Sequence, residues 1–264
     1  MNHQKISHFF FKKRCFFPKT AFFSPKIPNF THFNQQNNKQ ETLQTTLTAI
    51  NNLNNIIYFF SCCSSCSSLF ALFDKLTTEM EEMTYVFLAD GFEEVEAMTC
   101  VDVLRRAGMP VTTVSINSGR EVTGAHGVTV LADSLFADND YRDAQWLVLP
   151  GGIPGAPNLL AHEGLRDALL AQDDREGGIA AICASPAVVL GTLGILMGRE
   201  AVCYPGLENT VEGVNWCDRQ VAVDGHVVTG NGPAAATAFA LAIVEQAVGS
   251  ARAREVADGM LYCM

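Results

Sequence analysis

No glycine occurs in the first 82 residues of this 264-residue chain, and all 21 glycines fall after them. Folded domains use glycine wherever a turn demands positive φ, so a stretch this long without one is a poor candidate for an ordinary globular unit. The same 82 residues lack valine and tryptophan, hold 13 of the 17 phenylalanines, and are otherwise rich in Asn, Gln, Lys, Ser and Thr. The chain therefore divides into a non-globular N-terminal extension, residues 1–82, and a folded domain, residues 83–264. The extension reads as upstream sequence carried through from a mis-assigned start, with Met80 or Met83 as the true first residue, because the first apolar strand begins directly afterwards. Two other readings stand beside this one. Ile56–Phe73 is an apolar run near the minimum length of a membrane span but carries five serines, and the early FFFKKRCFFPKTAFF segment has the basic, aromatic character of a transit peptide. Cys62, Cys63 and Cys66 are not followed by a second Cys pair or paired His at zinc spacing, so no metal is assigned to them.

Residues 83–264 hold 23 acidic residues against 10 basic ones, a net charge near −13. Phosphate recognition needs clustered positive charge, so nucleic acid is not expected as the main partner. The domain has five cysteines, an odd number with no CxxC, which suits reduced thiols in a cytoplasmic protein better than a secreted disulfide scaffold. No membrane association is expected for it.

Its apolar patterning fixes the fold class. Thr84–Leu88, Val111–Ile116, Trp146–Leu149 and Ile179–Ile182 are short and largely apolar; helical segments fall among them at Glu93–Ala107, closed by Gly108, and Glu163–Gln172, and after them at Pro233–Val248 and Ala251–Leu261. A hairpin is predicted over Glu121–Leu131, and further strands at Ala201–Cys203, Gln220–Val223 and His226–Thr229. Continuously apolar strands alternating with helices predict a mostly parallel sheet covered on both faces. Small-molecule sites in such folds lie at the carboxyl ends of the strands. Three loops meet that condition: Asp90–Glu96, Pro150–Gly155 and Cys183–Pro186.

Each loop carries candidate chemistry. Ile179–Pro186 reads IAAICASP, a buried strand running into Cys183, two small residues and a helix-opening proline. That is the strand-to-helix elbow that presents a nucleophile at a sheet edge, with the helix start favouring thiolate. Glu96 falls on the first turns of the first helix, where a desolvated carboxyl has a raised pKa and can exchange a proton with a neighbouring thiol. Gly151 and Gly152 allow close backbone approach and offer N–H donors to an oxyanion. His126, in GAHG, lies in the predicted hairpin and is a further candidate, with a solvated hairpin histidine as the alternative.

The strings FLADGFEEVEA, VDVLRRAG, LVLPGG, AAICASP and FALAIVE, in this order, resemble the DJ-1/PfpI superfamily, and in particular its small single-domain DJ-1 branch, which includes bacterial members labelled as thiazole-monophosphate biosynthesis proteins. The resemblance implies a flavodoxin-like sandwich of the class I glutamine amidotransferase type. It places the reactive role on Cys183, the buried acid on Glu96 and the oxyanion donors on Gly152 and Ala184. It also implies a homodimer whose interface includes Val101–Ala107, and no cofactor. The implied activity is a glyoxalase III-like or deglycating reaction on a small reactive carbonyl, methylglyoxal or glyoxal; the alternative is a non-enzymatic redox sensor or chaperone with an oxidisable Cys183. The departures narrow this. PfpI-type proteolytic relatives carry His where this chain has Ala184, and the His-x-Glu pair of the amidotransferases is absent after Cys183. Tyr204 stands where the animal branch has His, and His126 lies where it places an Arg.

Overall fold

A computed structural model describes residues 83–263. The Ile56–Phe73 run and Cys62, Cys63 and Cys66 lie outside the described residues. The frame is a seven-stranded sheet in the order β10-β11-β7-β6-β1-β2-β5. Its strands are β1 (Thr84–Leu88), β2 (Val111–Ser115), β5 (Ser134–Leu135), β6 (Trp146–Leu149), β7 (Gly178–Ile182), β10 (Val221–Asp224) and β11 (Val227–Gly230). Every neighbouring pair runs parallel except β10 and β11, which form an antiparallel edge. β1 and β6 are buried at every position, as their unbroken apolar sequences require of strands covered on both faces.

The helices are α1 (Glu94–Arg106), α2 (Gly155–Ala161), α3 (Glu163–Asp174), α4 (Ala236–Val248) and α5 (Ser250–Gly259). α1 packs on α4 and α4 on α5; α2 packs on α3 and on a short helix, Pro186–Gly191, that follows β7. α1 stops where the sequence predicts, with Gly108 at φ +79°, a conformation that costs glycine little. Val103 and Leu104 of α1 are fully buried in the chain's own core, while Arg105 pairs with Asp133 and Arg106 with Asp102. The stretch Val101–Ala107 thus presents charged rather than apolar side chains outward. The large apolar side chains that α1 does expose are Val95 and Met98.

The sequence reading differs from the structure in several places. The hairpin forms, but as a separate two-stranded ribbon of β3 (Glu121–Thr123) and β4 (Thr129–Leu131). The strand placed at Ala201–Cys203 is shorter, β8 (Glu200–Ala201), and pairs outside the main sheet with β9 (Asn215–Trp216). α2 was not predicted, because Gly155 and Pro157 in its first turn read as loop chemistry. Pro233 opens a single 3₁₀ turn before α4 begins at Ala236. No helix among the described residues is long and apolar enough to cross a membrane.

This strand order places a topological switch beside β1. The chain moves from β1 to β2 on one side and returns to β6 on the other, leaving a crevice at the carboxyl ends of β1 and β6. The loops after β1, β6 and β7 meet there.

Candidate active site

β7 delivers the chain to Cys183, which turns at φ +65°. A non-glycine residue in this left-handed region stores about 1–3 kcal/mol of strain and needs its surroundings to hold it. Three bonds do so here. Cys183 N–H donates to the carbonyl of Gly230 at 2.8 Å, and Cys183 C=O accepts from Tyr204 N–H at 2.7 Å. Ser185 Oγ donates to the Pro150 carbonyl at 2.6 Å, tying the elbow to the loop after β6. Pro186 then opens the short helix, whose first turn closes with Val188 N–H on the Ala184 carbonyl. The residue is left 8% exposed, so the thiol is nearly buried.

Glu96 reaches the same point from α1 and is fully buried. Glu93 caps that helix, its Oε2 accepting from Glu96 N–H at 2.7 Å, which fixes where the first turn points. Glu96 Oε2 accepts from Gly151 N–H at 2.8 Å. Its Oε1 is buried with no well-directed hydrogen bond, although the Cys183 thiol is close enough for the two groups to shift one another's titration. Burial pushes the Glu96 carboxyl up to about 7, against the Gly151 N–H and the thiol, which favour its charged form; the charge of Glu93 adds to the rise. The Cys183 thiol is also raised, by burial first and then by the charge and hydrogen bonding of Glu96, while the N–H groups of Gly152 and Ala184 pull it down. The expectation that the helix start alone favours thiolate is therefore corrected: burial and the adjacent acid outweigh it. The two groups titrate as one unit that loses its first proton near neutrality and holds the second far above it.

The glycines of the second loop divide their work. A side chain at Gly151 would place its Cβ 2.6 Å from Cys183 Cβ, 2.8 Å from Glu96 Oε2 and 2.9 Å from the Ile182 carbonyl. Only glycine lets the backbone pass between acid and thiol. Its N–H is committed to Glu96, so the expectation that Gly151 donates to an oxyanion is corrected; Gly152, at φ +94°, and Ala184 are the donors that face the sulfur. Gly151→Ala should lower stability by about 2–3 kcal/mol, a fall of about 5–10 °C in the thermal midpoint of the full chain, because Ile182 and Cys183 belong to a buried strand end that cannot shift. An unchanged midpoint would show that this contact is not tight.

His126 sits elsewhere. Its side chain is 71% exposed, and its ring is held by Glu94, with Nδ1 2.7 Å from Oε2, rather than by any group around the sulfur. Glu94 Oε1 accepts the backbone N–H of His126 at 2.7 Å, and a Cβ at Gly124 would collide with that carboxyl. Ligand atoms of Glu93, Glu94 and His126 lie within 4.8 Å of one another, but both oxygens of Glu94 are already taken up by the hairpin loop, which accounts for the cluster without an ion. Sequence reasoning missed Glu94, whose clasp on a loop 32 residues away has no local signature. It also missed Ser185 as a tie between loops, for which a small polar residue two places after the nucleophile was the available sign.

Fold and site together define a class: an α/β sandwich with a cysteine elbow at a switch point, paired with a buried carboxyl and backbone N–H donors. Residues 83–246 match the model of the DJ-1/PfpI family, and the chain belongs to that family. It is 36% identical over 184 residues to the protein dj-1beta of Drosophila melanogaster, a match covering 69% of this chain and 98% of that one. It is 36% identical over 176 residues to the protein DJ-1 homolog B of Arabidopsis thaliana, covering 66% of this chain and 40% of that protein, so the chain spans well under half the length of this plant relative. Among solved structures, oxidized Toxoplasma gondii DJ-1 superimposes with a TM-score of 0.67 at 35% identity, covering 69% of this chain and 99% of that one. The fold is thus the flavodoxin-like, class I glutamine amidotransferase-like sandwich of these relatives.

Proposed function

We propose that the chain is a cofactor-independent glyoxalase III-like enzyme acting on methylglyoxal or glyoxal. The observation that carries this reading is the buried Cys183–Glu96 pair, a carboxyl with a value of about 7 beside a thiol that faces two backbone N–H groups. A group titrating near working pH is suited to move protons in both directions. In the proposed reaction Glu96 takes the thiol proton as Cys183 Sγ bonds to the aldehyde carbon, giving a hemithioacetal. The carbonyl oxygen gains negative charge next to the N–H groups of Gly152 and Ala184. Glu96 then moves the proton from the former aldehyde carbon to the neighbouring carbon through an enediol, leaving a 2-hydroxy thioester. Water cleaves the thioester, releasing the 2-hydroxy acid and restoring the thiol; methylglyoxal and one water become lactate with no external oxidant or reductant. Deglycation of an adduct would share the first step.

The test is lactate formation from methylglyoxal by the full chain without glutathione. Saturable turnover is expected, and lactate at the level of a protein-free control would sink the reading. A redox sensor is the second reading, favoured by one further observation: the same carboxyl can donate a hydrogen bond to an oxidised sulfur, and a relative of similar fold has been solved as an oxidised form. A sensor would consume two peroxides per Cys183 on the way to sulfinate and then stop.

A further inference from the structure

Two large apolar residues that adjoin the Cys183 elbow along the backbone are open to solvent, although the surroundings are acidic. One is Ile153, which directly follows Gly152, whose N–H faces the sulfur, and is 63% exposed. The other is Tyr204, which holds the Cys183 carbonyl through its backbone N–H. The Tyr204 ring lies on Gly232, with Cδ2 and Cε2 3.6 and 3.9 Å from where a Cβ of that residue would stand, and the residue is still 49% exposed. Gly232 itself follows two residues after Gly230, the partner of Cys183 N–H. The ring is therefore seated against backbone next to the nucleophile, with much of its surface open to solvent.

Exposed apolar side chains on segments bonded to a reactive elbow gain binding energy only from a ligand that covers them. Glu93, Glu94 and Glu96 stand at the same end of the sheet in a domain of net charge near −13, which disfavours an anionic ligand there. We infer that Ile153 and Tyr204 form a subsite for the substituent of a neutral 2-oxoaldehyde, so that the preferred substrates carry an aryl or branched alkyl group rather than hydrogen. This deepens the proposed glyoxalase reading and rests on it.

The test compares kcat/KM of the full chain for phenylglyoxal, read as mandelate, with that for glyoxal, read as glycolate. Tyr204→Ala should lower the phenylglyoxal-to-glyoxal ratio about tenfold, carried mainly by KM, because the lost contact is made equally in ground and transition states. Tyr204→Phe should keep the parent ratio within about twofold, since the ring and not the hydroxyl makes the contact. Ile153→Ser, at a residue 63% exposed, should lower the ratio several-fold and serves if Tyr204→Ala does not fold. Ratios unchanged in both Tyr204→Ala and Ile153→Ser would overturn the subsite while leaving the glyoxalase reading intact. Turnover of neither aldehyde by the parent chain would overturn both.

Discussion

Replacing Cys183 by serine should lower kcat/KM for methylglyoxal by about a thousandfold or more, with little change in stability. Serine fills nearly the same space in the pocket, and the bonds that hold the elbow, to Gly230, Tyr204 and Pro150, run from backbone or from Ser185 rather than from the thiol. The chemistry does not survive the change. A hydroxyl keeps its proton far above the pKa of a thiol, and a carboxylate with a value of about 7 is too weak a base to remove it. Initial rates of lactate formation, with thermal unfolding of the same preparations, separate the two effects. A serine variant that kept its parent's rate within about threefold would move the reaction away from this sulfur, whatever its fold. A variant that lost both rate and midpoint would instead mean that the thiol is part of the packing.

Much of this architecture is legible from one dimension, for identifiable reasons. Strands covered on both faces leave unbroken apolar runs, so β1, β6 and β7 stand out, and each ends in a loop whose residues announce a turn. Cys183 is visible because an elbow needs a local sequence: apolar strand, nucleophile, small residues, proline. What escapes is whatever depends on which distant segments meet. Gly151 reads as a glycine at a strand end, but its reason for being glycine is the approach of Cys183, 32 positions later, and of Glu96, 55 positions earlier. Nothing local says that its N–H goes to the acid while that of Gly152 goes to the sulfur. His126 shows the opposite error. It is the kind of residue that does chemistry, yet its ring is occupied by Glu94, an acid from a segment 32 positions away. The direction of the thiol shift was misread because helix-start effects are local and readable, whereas burial is a property of the whole packed crevice.

Glu96→Gln is expected to slow turnover and stabilise the protein at the same time. Glutamine can keep an oxygen on the Gly151 N–H but cannot accept the thiol proton or carry one between carbons, so kcat/KM should fall by about a hundredfold or more. The acidic limb of the parent's pH–rate profile, rising through about pH 7 as the pair loses its first proton, should disappear in the variant. The stability effect has a definite sign. An acid raised in the folded state from 4.5 to about 7 binds its proton more tightly folded than unfolded, so between those values the native state holds more protons and stability falls as pH rises. The full shift corresponds to about 3 kcal/mol, present as a benefit below pH 4.5 and lost by the time the pH passes 7. Glutamine has no charge to bury and lacks this slope. Urea unfolding of the full chain at pH 5 and pH 8 should therefore show Glu96→Gln gaining on its parent as pH rises. A gain that is absent, or that runs the other way, would mean that Glu96 is ionised at little cost in the folded protein. The pair would then have no neutral acid to offer at working pH, and Glu96 could not serve as the shuttle between the two carbons of the substrate.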